Sequence, residues 1–281
     1  MLKSHLLLSS VFLFAGCSSQ PPAAPEEAEE VAAEVEAEAA PTLSKEQLEA
    51  SAANVALVPS PVETQRALEA AGIQIKLADL VEPRTFKMDA SAEDNAAIRT
   101  GVVLADMLLT VKSVSNEQLI AHLGNVKTGM SQLEGGADIQ QTIADIQDRI
   151  KGEALTRDEL LHELDELSGA VIPELKFNGR ERVLPLIQAG SWLEGANLVA
   201  KALKQSGSLE NNDGLLKQPS VVNYFIGYVK TEGQGKAPAA VTEKLEASLQ
   251  TLKVLAEKEE PLTPEDLDTV IQTTNDVLAL L

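Results

Sequence analysis

Apolar positions recur along most of this chain at the spacing of one helix face. Leu119, Leu123, Val126, Met130 and Leu133 step by four, three, four and three, and Ile139, Ile143, Ile146 and Ile150 by four, three and four. Such narrow seams belong to helices packed nearly antiparallel. Gly135-Gly136 between them is a short connection, so the two form a helical hairpin. Leu160, Leu161, Leu164 and Leu167 continue the pattern, as do Val241, Leu245, Leu249, Leu252 and Leu255. Only Ile73, Ile75 and Leu77 alternate, within Gly72 to Val81. One short strand has nothing to pair with, so this stretch is expected to be an extended connector.

Helix starts are well marked. Ser44-Lys45-Glu46-Gln47, Ser60-Pro61-Val62-Glu63, Ser115-Asn116-Glu117-Gln118 and Thr156-Arg157-Asp158-Glu159 all fit the capping box, in which the first side chain and the fourth satisfy each other's backbone N–H. Thr263-Pro264 repeats the start of the Ser60 box without Glu or Gln at its fourth residue. Gly72 and Gly233 are expected helix stops. The fold class is therefore all-α, a multi-helix antiparallel bundle or a short helical-repeat stack, over residues 43–281.

Two of the helices look related. Ile98, Gly101, Leu104, Leu109 and Lys112 are matched at one constant offset by Ile187, Gly190, Leu193, Leu198 and Lys201. Glycine inside a helix costs about 1 kcal/mol relative to alanine and is tolerated where another backbone comes close. Gly101, Gly190 and Gly195 thus suggest two duplicated halves, roughly 85–172 and 173–281, stacked through these glycine-bearing helices. Ala154-Leu155-Thr156 and Pro261-Leu262-Thr263 echo each other before a helix at a different offset, so the loops must differ in length.

The first residues change the picture from fold to address. Lys3 precedes the apolar run Leu6 to Phe14, which is too short to cross a bilayer and has the size of a signal-peptide core. It ends in Phe14-Ala15-Gly16-Cys17, and Cys17 is the only cysteine in the chain. This run resembles the lipobox of bacterial lipoproteins, with Phe14 where leucine is usual. The resemblance implies removal of residues 1–16 and acylation of Cys17, which holds the protein on a membrane. Ser18 in place of an aspartate implies sorting to the outer membrane, facing the periplasm. Acylation also leaves no thiol for a disulfide, redox pair or metal.

Residues 17–42 read as a linker. Seven glutamates fall between Glu26 and Glu38, and no Lys or Arg lies between Lys3 and Lys45. Like charges at Glu26, Glu30, Glu34 and Glu38 oppose a helix, and a self-repelling tether here would reach up to about 80 Å when extended. The net charge of −20 excludes nucleic acid as a partner, since phosphate binding needs basic patches.

Catalytic constellations are sparse. Glu159-Leu160-Leu161-His162 has the Glu-x-x-His spacing of carboxylate-bridged di-iron bundles, but the second copy that site needs is missing, because Leu119 stands three residues before His122. His162-Glu163 also lacks the second histidine of the zinc motif, with Glu166 in its place. No metal, cofactor or catalytic residue is expected. Asp106, on an apolar helix, reads as a buried acid bonded to a neighbouring Arg such as Arg99 or Arg180. Trp192, Tyr224 and Tyr228, with Asp106, form the candidate recognition surface, since aromatics with a polar tip favour interfaces and pockets. The expected role is a non-catalytic helical interaction or scaffold protein, tethered through Cys17 and facing another envelope protein. The alternative is a lipid- or small-molecule-binding, possibly enzymatic, domain with a pocket between the halves.

Overall fold

A computed structural model describes residues 58–88, 92–209, 213–231 and 239–281. The lipobox with Cys17, the acidic linker, the Ser44 capping box, Gly233 and the Val241 side chain lie outside the described residues. Those residues form nine α-helices and no strand. They are α1 Pro61–Ala70, α2 Glu93–Thr110, α3 Asn116–Gln132, α4 Ala137–Lys151, α5 Arg157–Phe177, α6 Leu184–Ser206, α7 Pro219–Thr231, α8 Ala239–Ala256 and α9 Pro264–Leu278.

Local chemistry sets the boundaries. Ser60, Ser115 and Thr156 each accept from the backbone N–H three residues on, and Glu63, Gln118 and Glu159 reciprocate. Thr263 does the same with Asp266, so a shorter carboxylate completes the fourth box. Gly72, at φ +79°, follows α1 as expected. The connector after it is extended until Leu77–Leu80, which close into one turn of 3-10 helix over the buried Leu77. Helix α5 runs through Pro173, which stands exposed on its outer face, so the break between the two helix sets falls after Phe177, not at residue 172.

Helices α2 and α6 form the centre. Both are buried almost all round, which is the signature of a helix enclosed by others. They cross where side chains are smallest: a Cβ on Gly101 would run into the Ile187 carbonyl, and one on Gly190 into the Ile98 carbonyl. The two helices also run in the same sense. Asp94 near the start of α2 bonds Arg182 just before α6, and Asp106 farther along meets Glu194 farther along.

Three helices follow each central one. The α3 and α4 seams bury every residue the spacing marked. Helix α3 packs along α2, followed in turn by α4 and α5, whereas α6 packs chiefly along the last helix of its set, α9. There the buried Asn197 donates to Thr274 Oγ1 at 2.8 Å and Asn275 Oδ1 at 2.9 Å. The central crossing is thus reciprocal, while the outer helices wrap differently.

Candidate functional site

An extended strap, Val81–Met88, lies over α6 and delivers the cation of a deeply buried charged cluster. Glu82 pairs with Lys201 at 2.6 Å, and Arg84 makes a two-pronged bond to Glu194, Nη1 to Oε2 at 2.7 Å and Nη2 to Oε1 at 2.9 Å. Glu194 is wholly buried. Asp106, from α2, lies 3.8 Å from Arg84 Nη1. Planar guanidinium matches a carboxylate best in this fork geometry.

One cation faces two carboxyls, and the balance is made up by a proton. Burial pushes Asp106 up to about 8, and the neighbouring Glu194 charge adds to that, against the pull of Arg84. The Oδ1 atom of Asp106 is buried and has no hydrogen-bond partner among the described residues. At neutral pH the cluster therefore carries one proton between two acids, as like charges this close cannot both ionise. The expected partners Arg99 and Arg180 are engaged elsewhere: Arg99 donates to the Lys87 carbonyl at 2.5 Å, and Arg180 pairs with Glu93. A helix-based reading missed Arg84 because the strap carries no periodic signal.

A second charged cluster stands at the opposite end of the central pair. Arg180 and Arg182 both pair with Glu93, Arg182 holds Asp94 at 3.0 Å, and Arg180 reaches Glu134 at 3.4 Å. Glu93 and Asp94 occupy the first turn of α2, where helix N–H groups also favour negative charge.

The aromatics gather around a residue that sequence reading passed over, Phe225. Its ring is 5.5 Å from that of Trp192 and 5.2 Å from that of Tyr224. Trp192 is buried, and its Nε1 donates to Gln218 Oε1 at 2.9 Å. Tyr224 donates to Gln188 Oε1 at 3.4 Å, and Tyr228 to the Arg182 carbonyl. Burial raises the Tyr224 phenol. The three thus wedge α7 against α6, with Trp192 and Tyr228 holding their polar tips on protein atoms. Asp106 is not part of this wedge, so the four candidates form two separate places. The spaces beside Trp192 measure about 20 and 10 Å³, room for one water at most.

The histidines do not converge. His122 is half-buried on α3, and burial lowers its pKa, while His162 is exposed beside Glu166 at 3.4 Å. Glu159 is spent on capping α5. Among the described residues no group of three or more His, Cys, Asp or Glu is arranged to hold a metal.

A groove of about 400 Å³ with a largely apolar floor lies between α1, the 3-10 turn, the end of α2 and Leu161 of α5. No helix among the described residues is long and apolar enough to cross a membrane. Comparison of the chain with family models, curated proteins and solved structures finds no match.

Proposed function

We propose that this chain is a non-catalytic helical scaffold, anchored at the outer membrane through acylated Cys17, that presents a rigid periplasmic body to another envelope protein. The observation that carries this reading is how its chemically capable side chains are used. Arg84, Asp106 and Glu194 bind one another in the core, and Trp192 and Tyr228 cap protein atoms. Groups spent in this way fix the relative position of helices and have little capacity left to meet a substrate. The alternative, a ligand pocket between the halves, draws less support from the water-sized spaces beside Trp192.

Fractionation tests the anchor. The native protein should sediment with outer membranes and Cys17→Ala should be soluble; a membrane-bound Cys17→Ala protein would refute lipid anchoring. Cross-linking in intact cells tests the scaffold role, with a discrete heteromeric adduct expected. A stoichiometric small molecule in native mass spectra of the purified protein would favour the ligand-binding alternative.

A further inference from the structure

We infer that the outer side of α5, in its C-terminal half, is a self-association surface on which two copies of this chain pair antiparallel about a two-fold axis. The inner side of the helix is spent on the fold, where Leu160, Leu164, Leu167, Val171 and Leu175 are buried. The outer side keeps apolar groups in water. Phe177 is 88% exposed, the most of any large apolar side chain among the described residues, and Ala170 and Pro173 are exposed along the same face. Gly169 lies between them, and a Cβ there would meet nothing within 4 Å. A bulky aromatic beside small residues offers one helix both a knob and a place for another helix to come close.

Spacing and charge along this face select the occupant. Asp165 and Lys176 stand three helical turns apart, and so do Glu166 and Phe177, all four exposed. Each pair therefore lies on one line along the helix, its members about 16 Å apart and out of each other's reach. Both pairs share a midpoint within half a residue of Val171, as do Gly169 and Pro173. A two-fold axis at that point sets each residue against the one equally far beyond the midpoint in the second copy. Lys176 then meets Asp165 of the second copy, at both ends of the contact. Phe177 lies across the second copy's Glu166 and His162, which are 3.4 Å apart within one chain, and Pro173 enters the gap above Gly169. Parallel pairing would instead set Asp165 on Asp165 and Lys176 on Lys176, which like charges oppose.

The inference goes beyond the scaffold reading and stands whether or not Cys17 holds the chain on a membrane. Three turns of helix make a small contact, so the dimer should be weak, with a Kd on the order of 100 μM. A paired body offers its remaining surfaces in duplicate, so a partner with two matching sites is held by both at once.

Sedimentation equilibrium of the purified full chain tests this. At concentrations up to several times that Kd, monomer and dimer should exchange reversibly. Phe177→Ser, at a position outside the core, should keep the native melting temperature and raise the Kd at least about tenfold. Lys176→Glu and Asp165→Lys should each weaken the dimer several-fold, and the double variant should restore it to within about twofold of the native chain. Because these two residues cannot meet within one helix, such rescue requires a second copy lying antiparallel. A native chain that stays monomeric throughout overturns the inference. So does a dimer that Phe177→Ser leaves intact, which would put the contact on another face. Charge variants whose losses add in the double variant, without rescue, overturn the antiparallel pairing.

Discussion

The two charged clusters at either end of the central helix pair differ in one count. At the outer end, two guanidiniums, Arg180 and Arg182, face Glu93 and Asp94, with the exposed Glu134 a third carboxylate reached from the solvent side, and Arg180, Arg182 and Glu93 keep between 22% and 28% of their surface in water. At the inner end a single guanidinium, Arg84, faces two carboxyls, with Glu194 wholly buried and Asp106 nearly so. The outer cluster balances its charge with cations and retains solvent as a buffer. The inner one balances with a proton. Desolvation accounts for the difference: where water is excluded, a second uncompensated charge costs more than holding a proton far above the usual carboxylate range.

The contrast is broken most forcefully by removing the lone inner cation. Arg84→Met leaves two buried acids with no counter-charge and should cost about 3–5 kcal/mol in urea unfolding. Gly101→Ala comes next. Its methyl meets the Ile187 backbone, so the central helices must separate at the crossing that lies between the clusters. A loss of about 3 kcal/mol is expected, at the upper end of overpacking effects, despite alanine's better helix propensity. Arg182→Met should cost less, about 1–2 kcal/mol, because Arg180 still holds Glu93 and the helix start shelters Asp94.

The smallest effect is the most diagnostic. Asp106→Asn keeps a donor toward Glu194, as the protonated acid does, and should change stability by less than about 1 kcal/mol below about pH 4, where the acid is protonated folded and unfolded alike. At pH 7 it should be the more stable chain, because the native one must then take up a proton to fold. Its pH dependence should differ clearly. The folded value of Asp106 is raised from 3.8 to about 8, so the folded chain keeps a proton that the unfolded chain has released. That contribution is fully present below about 4, declines as pH rises through about 8, and is flat above. Subtracting the Asp106→Asn curve of urea midpoint against pH from the native curve should isolate this slope. A difference curve that is flat between these values would rule out the proton-balanced cluster.

Local signals carried most of the fold. Ser60, Ser115, Thr156 and Thr263 start helices because one side chain and one backbone N–H decide the matter within four residues. The α3 and α4 seams were readable because period alone separates inside from outside. The site was less legible. Asp106 is the buried acid its apolar surroundings imply, yet its partner comes from a strap with no repeat, and a long-range pair leaves no trace in spacing. Trp192 and Tyr228 are equally good candidates for a surface or a core wedge, since an amphipathic side chain serves both. What decides between them is Phe225 and Gln218, and only the packing of α7 on α6 brings these near Trp192.

The crossing of α2 and α6 has a consequence for how such a chain can arise. Position 98 receives the methylene of Gly190 as position 187 receives that of Gly101, so the surface is its own complement when the two helices are exchanged. That is the condition for two identical shorter chains to close as a pair. Joining such a pair end to end would require only a linker and no newly invented interface, after which the outer helices of each copy would be free to drift into different wrappings.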